Sequence, residues 1–212
     1  MPPTPSWRGR LHQIAFFVSL PMGAALVALA RTGEARAAAT VFSVGLAGVF
    51  GVSAAYHRGR WSERGRLWMR RFDHSMIYVL IAGSYTPFCL LVLDGRFGLV
   101  MLSIVWAGAL IGIAMKMTRP LGLEKLSAFL YIALGWVAVF VLPQMIRGLS
   151  GVAGLLVVAG GLLYTLGAIA LASHRPDPRP TVFGYHEVWH ASTLGASLCH
   201  WLAVLTVVVA AR

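Results

Sequence analysis

The most informative feature of this chain is how little charge it carries. Only 12% of its 212 residues are charged, whereas 58% are hydrophobic. Soluble domains usually contain about 25% charged residues. A soluble domain of this length could not place so much apolar surface in one core. The composition therefore excludes a soluble enzyme or binding module and indicates a membrane protein.

Acidic residues and cysteines are also scarce. The chain has seven Asp and Glu against 18 Lys and Arg, a net charge of +11. The basic residues lie in short gaps between apolar runs, as orientation signals do, and this argues against a nucleic-acid-binding module. Both cysteines, Cys89 and Cys199, fall inside apolar runs. This placement favours a role as small buried hydrophobic side chains.

Long apolar runs recur from one end of the chain to the other. Each run is long enough to cross a hydrocarbon layer of about 30 Å. They predict an all-α bundle of seven transmembrane helices in a single domain, 1–212, with helices at about 12–30, 38–57, 73–93, 97–115, 124–142, 151–172 and 186–209. The first run exceeds the 7–15 residues of a signal-peptide core, so we interpret it as a membrane helix.

The distribution of basic residues predicts an orientation. With seven spans, the N-terminus and the loops after helices 2, 4 and 6 share one side, which carries 13 of the 18 Lys and Arg residues. Short loops rich in Lys and Arg stay in the cytoplasm. We therefore expect a multi-pass plasma-membrane protein with a cytoplasmic N-terminus.

Ionisable residues cluster at three helix ends on that same side. Such residues are costly at membrane depth, and each is therefore a functional candidate. They are Ser53 and His57 at the end of helix 2, Asp73 and His74 at the start of helix 3, and His186, Glu187 and His190 at the start of helix 7. Because alternating helices return to the same leaflet, we expect these groups to share one layer.

The spacing of these residues favours a metal site. Ser53 and His57 are four residues apart, as are His186 and His190, so each pair shares a helix face. Three neutral imidazoles and a water form the open tetrahedral zinc site of catalytic centres, in which the pKa of the water falls to about 7. The three histidines are thus metal-ligand candidates. Ser53 and Asp73 are catalytic candidates, able to hydrogen-bond or deprotonate the water.

Two other interpretations of these residues stay open. A histidine near a helix end can simply extend toward the interface. In addition, His186-Glu187-Val188-Trp189-His190 matches the H-E-x-x-H motif of metalloproteases, in which Glu is the general base. An intramembrane protease would need a further carboxylate ligand, and Asp94 is predicted at the opposite membrane face. The protease hypothesis is therefore disfavoured.

The same residues resemble a known family. Three segments resemble the three motifs of bacterial hemolysin III-like proteins. They are Ser53-x-x-x-His57, Phe72-Asp73-His74-Ser75 running into 82–88, and 184–190. These belong with the progestin and adipoQ receptors, which include the adiponectin receptors, and more distantly with alkaline ceramidases. The resemblance covers essentially the whole chain.

The resemblance implies a seven-helix bundle with a zinc ion near the cytoplasmic face. The implied zinc ligands are His57, His186 and His190, with Asp73 and Ser53 placed around the zinc-bound water. A glutamate at position 187 is not required by the receptor pattern, so the resemblance leaves its role open. The long N-terminal domain of the animal receptors has no counterpart in the sequence, so we expect no protein-hormone partner.

Three functions follow from these observations. The first is a zinc-dependent hydrolase of a membrane lipid, with an amide bond as the favoured target. The second is a regulator of membrane homeostasis or a receptor in which the zinc is structural. The third, suggested only by the family name, is a pore-forming haemolysin, which is disfavoured because no helix has a polar face through the full membrane thickness. A membrane lipid is the expected substrate or ligand.

Three further polar residues are assigned to structural roles. His74 is offset from Asp73 around the helix and is expected to form a hydrogen bond rather than ligate the metal. His200, ten residues beyond His190, is expected to bond a neighbouring helix. Tyr85 is assigned to the aromatic belt near a helix end.

Overall fold

The computed structural model describes residues 5–119 and 121–211. These residues form eight helices: α1 (Arg10–Leu29), α2 (Gly33–Arg58), α3 (Glu63–Leu91), α4 (Gly95–Thr118), α5 (Glu124–Trp136), α6 (Ala138–Gly148), α7 (Gly151–Ser173) and α8 (Tyr185–Ala210). Seven helical segments of the described chain are long and apolar enough to cross a membrane. The prediction of an all-α bundle of seven transmembrane helices is confirmed.

The fifth span contains the break between α5 and α6. It runs from Leu126 to Met145 and is interrupted at Val137. Pro143 lies inside α6 and cannot donate a backbone hydrogen bond to the preceding turn. The sequence predicted one continuous helix here because hydropathy does not distinguish a straight span from a broken one.

Tyr85 of α3 stabilises this break. Its hydroxyl lies 2.9 Å from the carbonyl oxygen of Leu134 and 2.8 Å from that of Gly135, and it can donate a hydrogen bond to them. Carbonyl groups freed by a helix break inside a bilayer must find another donor, because lipid offers none. Tyr85 is itself buried. Its assignment to an interfacial aromatic belt was wrong.

Helix α3 begins ten residues earlier than predicted. The side chain of Ser62 accepts a hydrogen bond from the backbone N–H of Gly65 at 3.2 Å, which caps the helix at Glu63. The arginine-rich segment that follows was interpreted as a loop because of its charge. With 29 residues, α3 is about 43 Å long. It is therefore longer than the hydrocarbon layer, and its basic first turns can remain in water.

The helices pack in chain order, and α8 closes the bundle. Neighbouring pairs α1/α2, α2/α3, α3/α4 and α7/α8 contact one another, and α8 also contacts α1, α2 and α3. The α2/α3 contact is close because each helix places a glycine against the other. A Cβ on Gly45 would lie 3.4 Å from the carbonyl oxygen of Val79, and one on Gly83 would lie 3.4 Å from that of Val41. Small residues of this kind let membrane helices approach closely.

Large apolar side chains cover the outside of the bundle. Phe17, Ile111 and Phe140, from three different helices, are 62%, 66% and 79% exposed. On a soluble protein such surfaces would promote association, whereas in a bilayer they contact lipid tails. The exposed apolar surface and the seven spans identify a multi-pass membrane protein.

Candidate metal centre

The start of α8 is fixed by two carboxylates. Asp177 accepts a hydrogen bond from the backbone N–H of Tyr185 at 3.0 Å, and Glu187 accepts one from that of Gly184 at 2.9 Å. These bonds satisfy backbone donors that have no partner within the helix. Acidic groups also suit the positive end of the helix dipole. Both contacts hold the turn that carries His186 next to the end of α2.

Three histidines converge between α2 and α8. One ring nitrogen each from His57, His186 and His190 lies within 4.8 Å of the others. The Nε2 atoms of His57 and His186 are 3.3 Å apart. His190 is buried, whereas the other two are partly exposed. The structure thus brings together the three side chains that the sequence spacing selected.

The donor geometry fits a metal ion. Nitrogen ligands bind zinc at about 2.0–2.1 Å, which places two corners of a tetrahedron about 3.3–3.4 Å apart. The 3.3 Å separation of His57 and His186 matches this value. This group of three histidines could therefore hold a metal ion.

Ser53 and Asp73 form a pair close to the histidines. Ser53 is buried one turn deeper than His57 on α2, and its hydroxyl is within hydrogen-bonding reach of the Asp73 carboxyl. Asp73 is not part of the group of converging donors in the described residues. The catalytic role of Asp73 and Ser53 stays a prediction.

Glu187 is engaged by structural partners. One carboxylate oxygen lies 2.5 Å from Nε of Arg8, the other accepts the hydrogen bond from Gly184, and the side chain is fully buried. A general base needs an oxygen that can reach the reacting water. Both oxygens of Glu187 already have partners, so the H-E-x-x-H interpretation has no support here. Asp94 contacts Gln144 at the opposite end of α3.

An N-terminal segment covers this end of the bundle. The backbone N–H groups of Ser6 and Trp7 donate to the carbonyl oxygens of Thr181 and Val182, both at 3.1 Å. Gly9 has a φ of +75°, and a Cβ there would lie 2.8 Å from the Cβ of His57. We call residues 5–9 the N-terminal strap. Sequence reasoning missed it because it has no periodicity, and its single arginine, Arg8, was interpreted only as an orientation signal.

Sequence reasoning also missed His12. This residue of α1 is 3% exposed, and its ring lies against that of His190 with centroids 3.7 Å apart. A signal was available, since a histidine inside an apolar run is a functional candidate by default. His12 was passed over because it has no partner at helical spacing.

Two further histidines, His74 and His200, also lie outside the group of three. His74 is hydrogen-bonded through Nδ1 to the backbone oxygen of Arg70 at 2.7 Å. His200 lies with its Nε2 3.3 Å from the backbone oxygen of Val157 on α7. The contact of His200 with a neighbouring helix agrees with its expected role. The hydrogen bond of His74 with Arg70 lies within α3, whereas a bond around the metal site or between helices was expected for it.

Comparisons with known proteins identify the family. The model of the family described as Haemolysin-III related matches residues 2–201. Hemolysin-3 of Bacillus cereus is 33% identical over 197 residues, which cover 92% of this chain and 87% of that protein. The Hemolysin-3 homolog of Bacillus subtilis (strain 168) is 38% identical over 133 residues, which cover 63% of this chain and 60% of that protein. This chain belongs to the Haemolysin-III related family.

Proposed function

We propose that the protein is a membrane-embedded, zinc-dependent hydrolase that cleaves an amide bond of a membrane lipid. The observation that carries this proposal is the convergence of three imidazole nitrogens at one end of the bundle, with the Ser53 and Asp73 pair beside them. A three-histidine set leaves one coordination position for water or substrate. That arrangement is typical of catalytic rather than structural zinc sites.

The donor set favours zinc. Imidazole nitrogens suit zinc and other transition metals, whereas magnesium and calcium prefer oxygen ligands. His57, His186 and His190 would hold the ion. When bound, it would polarise a carbonyl group and lower the pKa of a coordinated water to about 7.

Asp73 and Ser53 would handle the protons of the reaction. In amide hydrolysis the water oxygen bonds to the carbonyl carbon, the carbon–nitrogen bond breaks, and a carboxylic acid and an amine leave. An Asp73 oxygen would accept the proton of the water and pass it to the departing nitrogen. The Ser53 hydroxyl would hold that carboxyl in place by donating a hydrogen bond to it.

The depth and surroundings of the histidines favour a lipid substrate. They lie at helix ends, the level at which an amide lipid carries its polar linkage. An open groove of about 410 Å³ lies between α1 and α2 near the same helix ends, and its lining includes Arg58, the residue after His57, but none of the three histidines. Phe16 and Phe17 line its apolar part, and Gln13 and Arg58 its polar part. An acyl chain along the phenylalanines would bring a headgroup toward Arg58.

We further propose that this end of the bundle faces the cytoplasm at the plasma membrane. It carries 13 of the 18 Lys and Arg residues, and short basic loops stay on the cytoplasmic side. A cysteine introduced near Arg179 and one introduced near Gly95 should then react with an impermeant thiol reagent from opposite sides of the membrane.

The test of the proposed reaction uses purified protein in lipid nanodiscs. Bound zinc is measured by elemental analysis, and release of fatty acid from ceramide and other N-acyl lipids by mass spectrometry. We expect His57→Ala to lose both zinc and turnover. Asp73→Asn should keep zinc while turnover falls by about 10²–10⁴-fold, the usual contribution of general acid–base catalysis. His200→Gln is the matched control and should keep both.

Two outcomes would favour the other functions. A zinc-loaded preparation that hydrolyses none of these lipids, but unfolds at much lower temperature after His190→Ala, would favour a regulator or receptor with structural zinc. Leakage of dye from liposomes on addition of the protein would favour a haemolysin. Either result without hydrolysis contradicts the proposal.

A further inference from the structure

His12 is a fourth histidine in contact with the group of three. Its ring and that of His190 have centroids 3.7 Å apart and planes inclined by 13°. On its other side it lies 5.2 Å from the ring of Phe50. The side chain is buried, and neither of its nitrogens has a protein partner.

The stacked geometry excludes His12 from an ion bound by His190. An imidazole binds a metal through a lone pair that lies in the plane of the ring, at about 2.0–2.1 Å. Two nearly parallel rings 3.7 Å apart direct their lone pairs along separate planes. An ion in the plane of the His190 ring therefore lies well outside the plane of the His12 ring. His12 would therefore leave the fourth coordination position of such an ion free.

The ring of His190 is held by ring contacts and not by a protein hydrogen bond at Nδ1. A ligating histidine generally donates its second ring nitrogen to a carboxylate, carbonyl or water, and this bond sets the ring orientation. The Nδ1 atom of His190 is buried without a protein partner. The contact with His12 is the closest of the three ring contacts of His190 and the one in which the two rings are nearly parallel.

We propose that His12 is a positioning residue of the metal centre, which fixes the ring plane of His190 by stacking and is not itself a ligand. This inference rests on the proposed function, since it requires a metal ion at the three histidines. It also deepens that function, because a centre with a fourth protein ligand would be closed, whereas this one keeps a position for water or substrate.

The experiment compares two substitutions of His12 that distinguish a role of the ring from a role of its nitrogens. His12→Phe keeps a flat ring and removes both nitrogens, whereas His12→Ala removes the ring. Full-length protein in nanodiscs is titrated with Zn²⁺ and Co²⁺, and the visible spectrum of the cobalt form reports the coordination geometry. We expect His12→Phe to match the wild type in affinity and spectrum. His12→Ala should weaken binding by about 10–100-fold, as loss of an orienting partner does.

His200→Ala is the matched control, because it removes another imidazole from the interior of the bundle. It should leave both metal affinities unchanged. If His12→Ala does not fold, His12→Leu takes its place, since leucine fills the space without a flat ring.

The outcomes separate this inference from the proposed function. A His12→Phe variant that loses as much affinity as His12→Ala shows a role for the nitrogens and overturns the inference while the metal centre stands. Wild-type affinity in His12→Ala overturns it as well. A wild-type protein that binds neither metal overturns the metal centre itself, and the inference with it.

Discussion

The two halves of α8 place a histidine in different surroundings. His190 lies in the first turns among three other imidazoles. His200 lies ten residues further on, next to Gly160 of α7, with its Nε2 near the backbone oxygen of Val157. Because both side chains lie inside the bundle, burial alone does not distinguish the two histidines. The informative feature is whether its neighbours are backbone carbonyls or other ligating groups.

The sharpest test of this comparison removes each histidine in turn. His190→Ala should reduce zinc affinity by more than about 100-fold, because loss of a direct ligand exceeds the 10–100-fold effect of an outer partner. His200→Ala should leave the affinity unchanged and reduce only thermal stability. Zinc titration and thermal unfolding of the two variants measure both effects. Equal zinc affinities would abolish the distinction between the two halves.

A second test concerns the ion pair that fixes the first half of α8. Arg8→Ala leaves the carboxylate of Glu187 buried without its cation. Breaking a buried pair costs about 3–5 kcal/mol, and we expect about 2–3 kcal/mol because Arg8 is 24% exposed and partly screened by solvent. Arg10→Ala, an exposed neighbour of the same charge, is the control and should change the free energy of unfolding little. Chemical denaturation measures both, and equal effects would mean that the pair does not anchor the helix.

The smallest effect on the free energy of unfolding is expected from a substitution that removes a contact of the second half of α8. The hydroxyl groups of Tyr164 and Ser197 are 2.8 Å apart across the α7/α8 contact. Hydrogen bonds between membrane helices contribute about 0.6 kcal/mol on average. Tyr164→Phe should therefore lower the free energy of unfolding by about that amount and leave metal binding intact. A change in zinc affinity would show that the two halves are coupled.

Hydropathy predicted the spans because the bilayer imposes a length and an apolar composition on every helix. It did not predict the start of α3 at Glu63, since the arginine-rich turns are helical outside the hydrocarbon layer. It also missed the break at Val137. That break is stabilised by Tyr85, and a hydrogen bond between residues about fifty positions apart leaves no local pattern in the sequence.

The candidate site also contains features that the sequence predicted and features that it did not. His186 and His190 were found because their spacing is helical, and His57 and Asp73 because alternating helices bring distant ends together. The N-terminal strap and the stacking of His12 on His190 depend on tertiary contacts with no sequence period. The pairing of Glu187 with Arg8 was equally hidden, although the motif around Glu187 suggested a catalytic role.

The N-terminal strap has a practical consequence for work on this protein. Residues 5–9 lie against 181–182 and bring Gly9 next to His57. A polyhistidine tag fused to the amino terminus would be tethered within a few residues of the candidate ligands and would supply competing imidazoles. The end of α8 lies at the far side of the bundle, about 39 Å away along a helix of 26 residues. An affinity tag placed there would leave metal titrations free of this artefact.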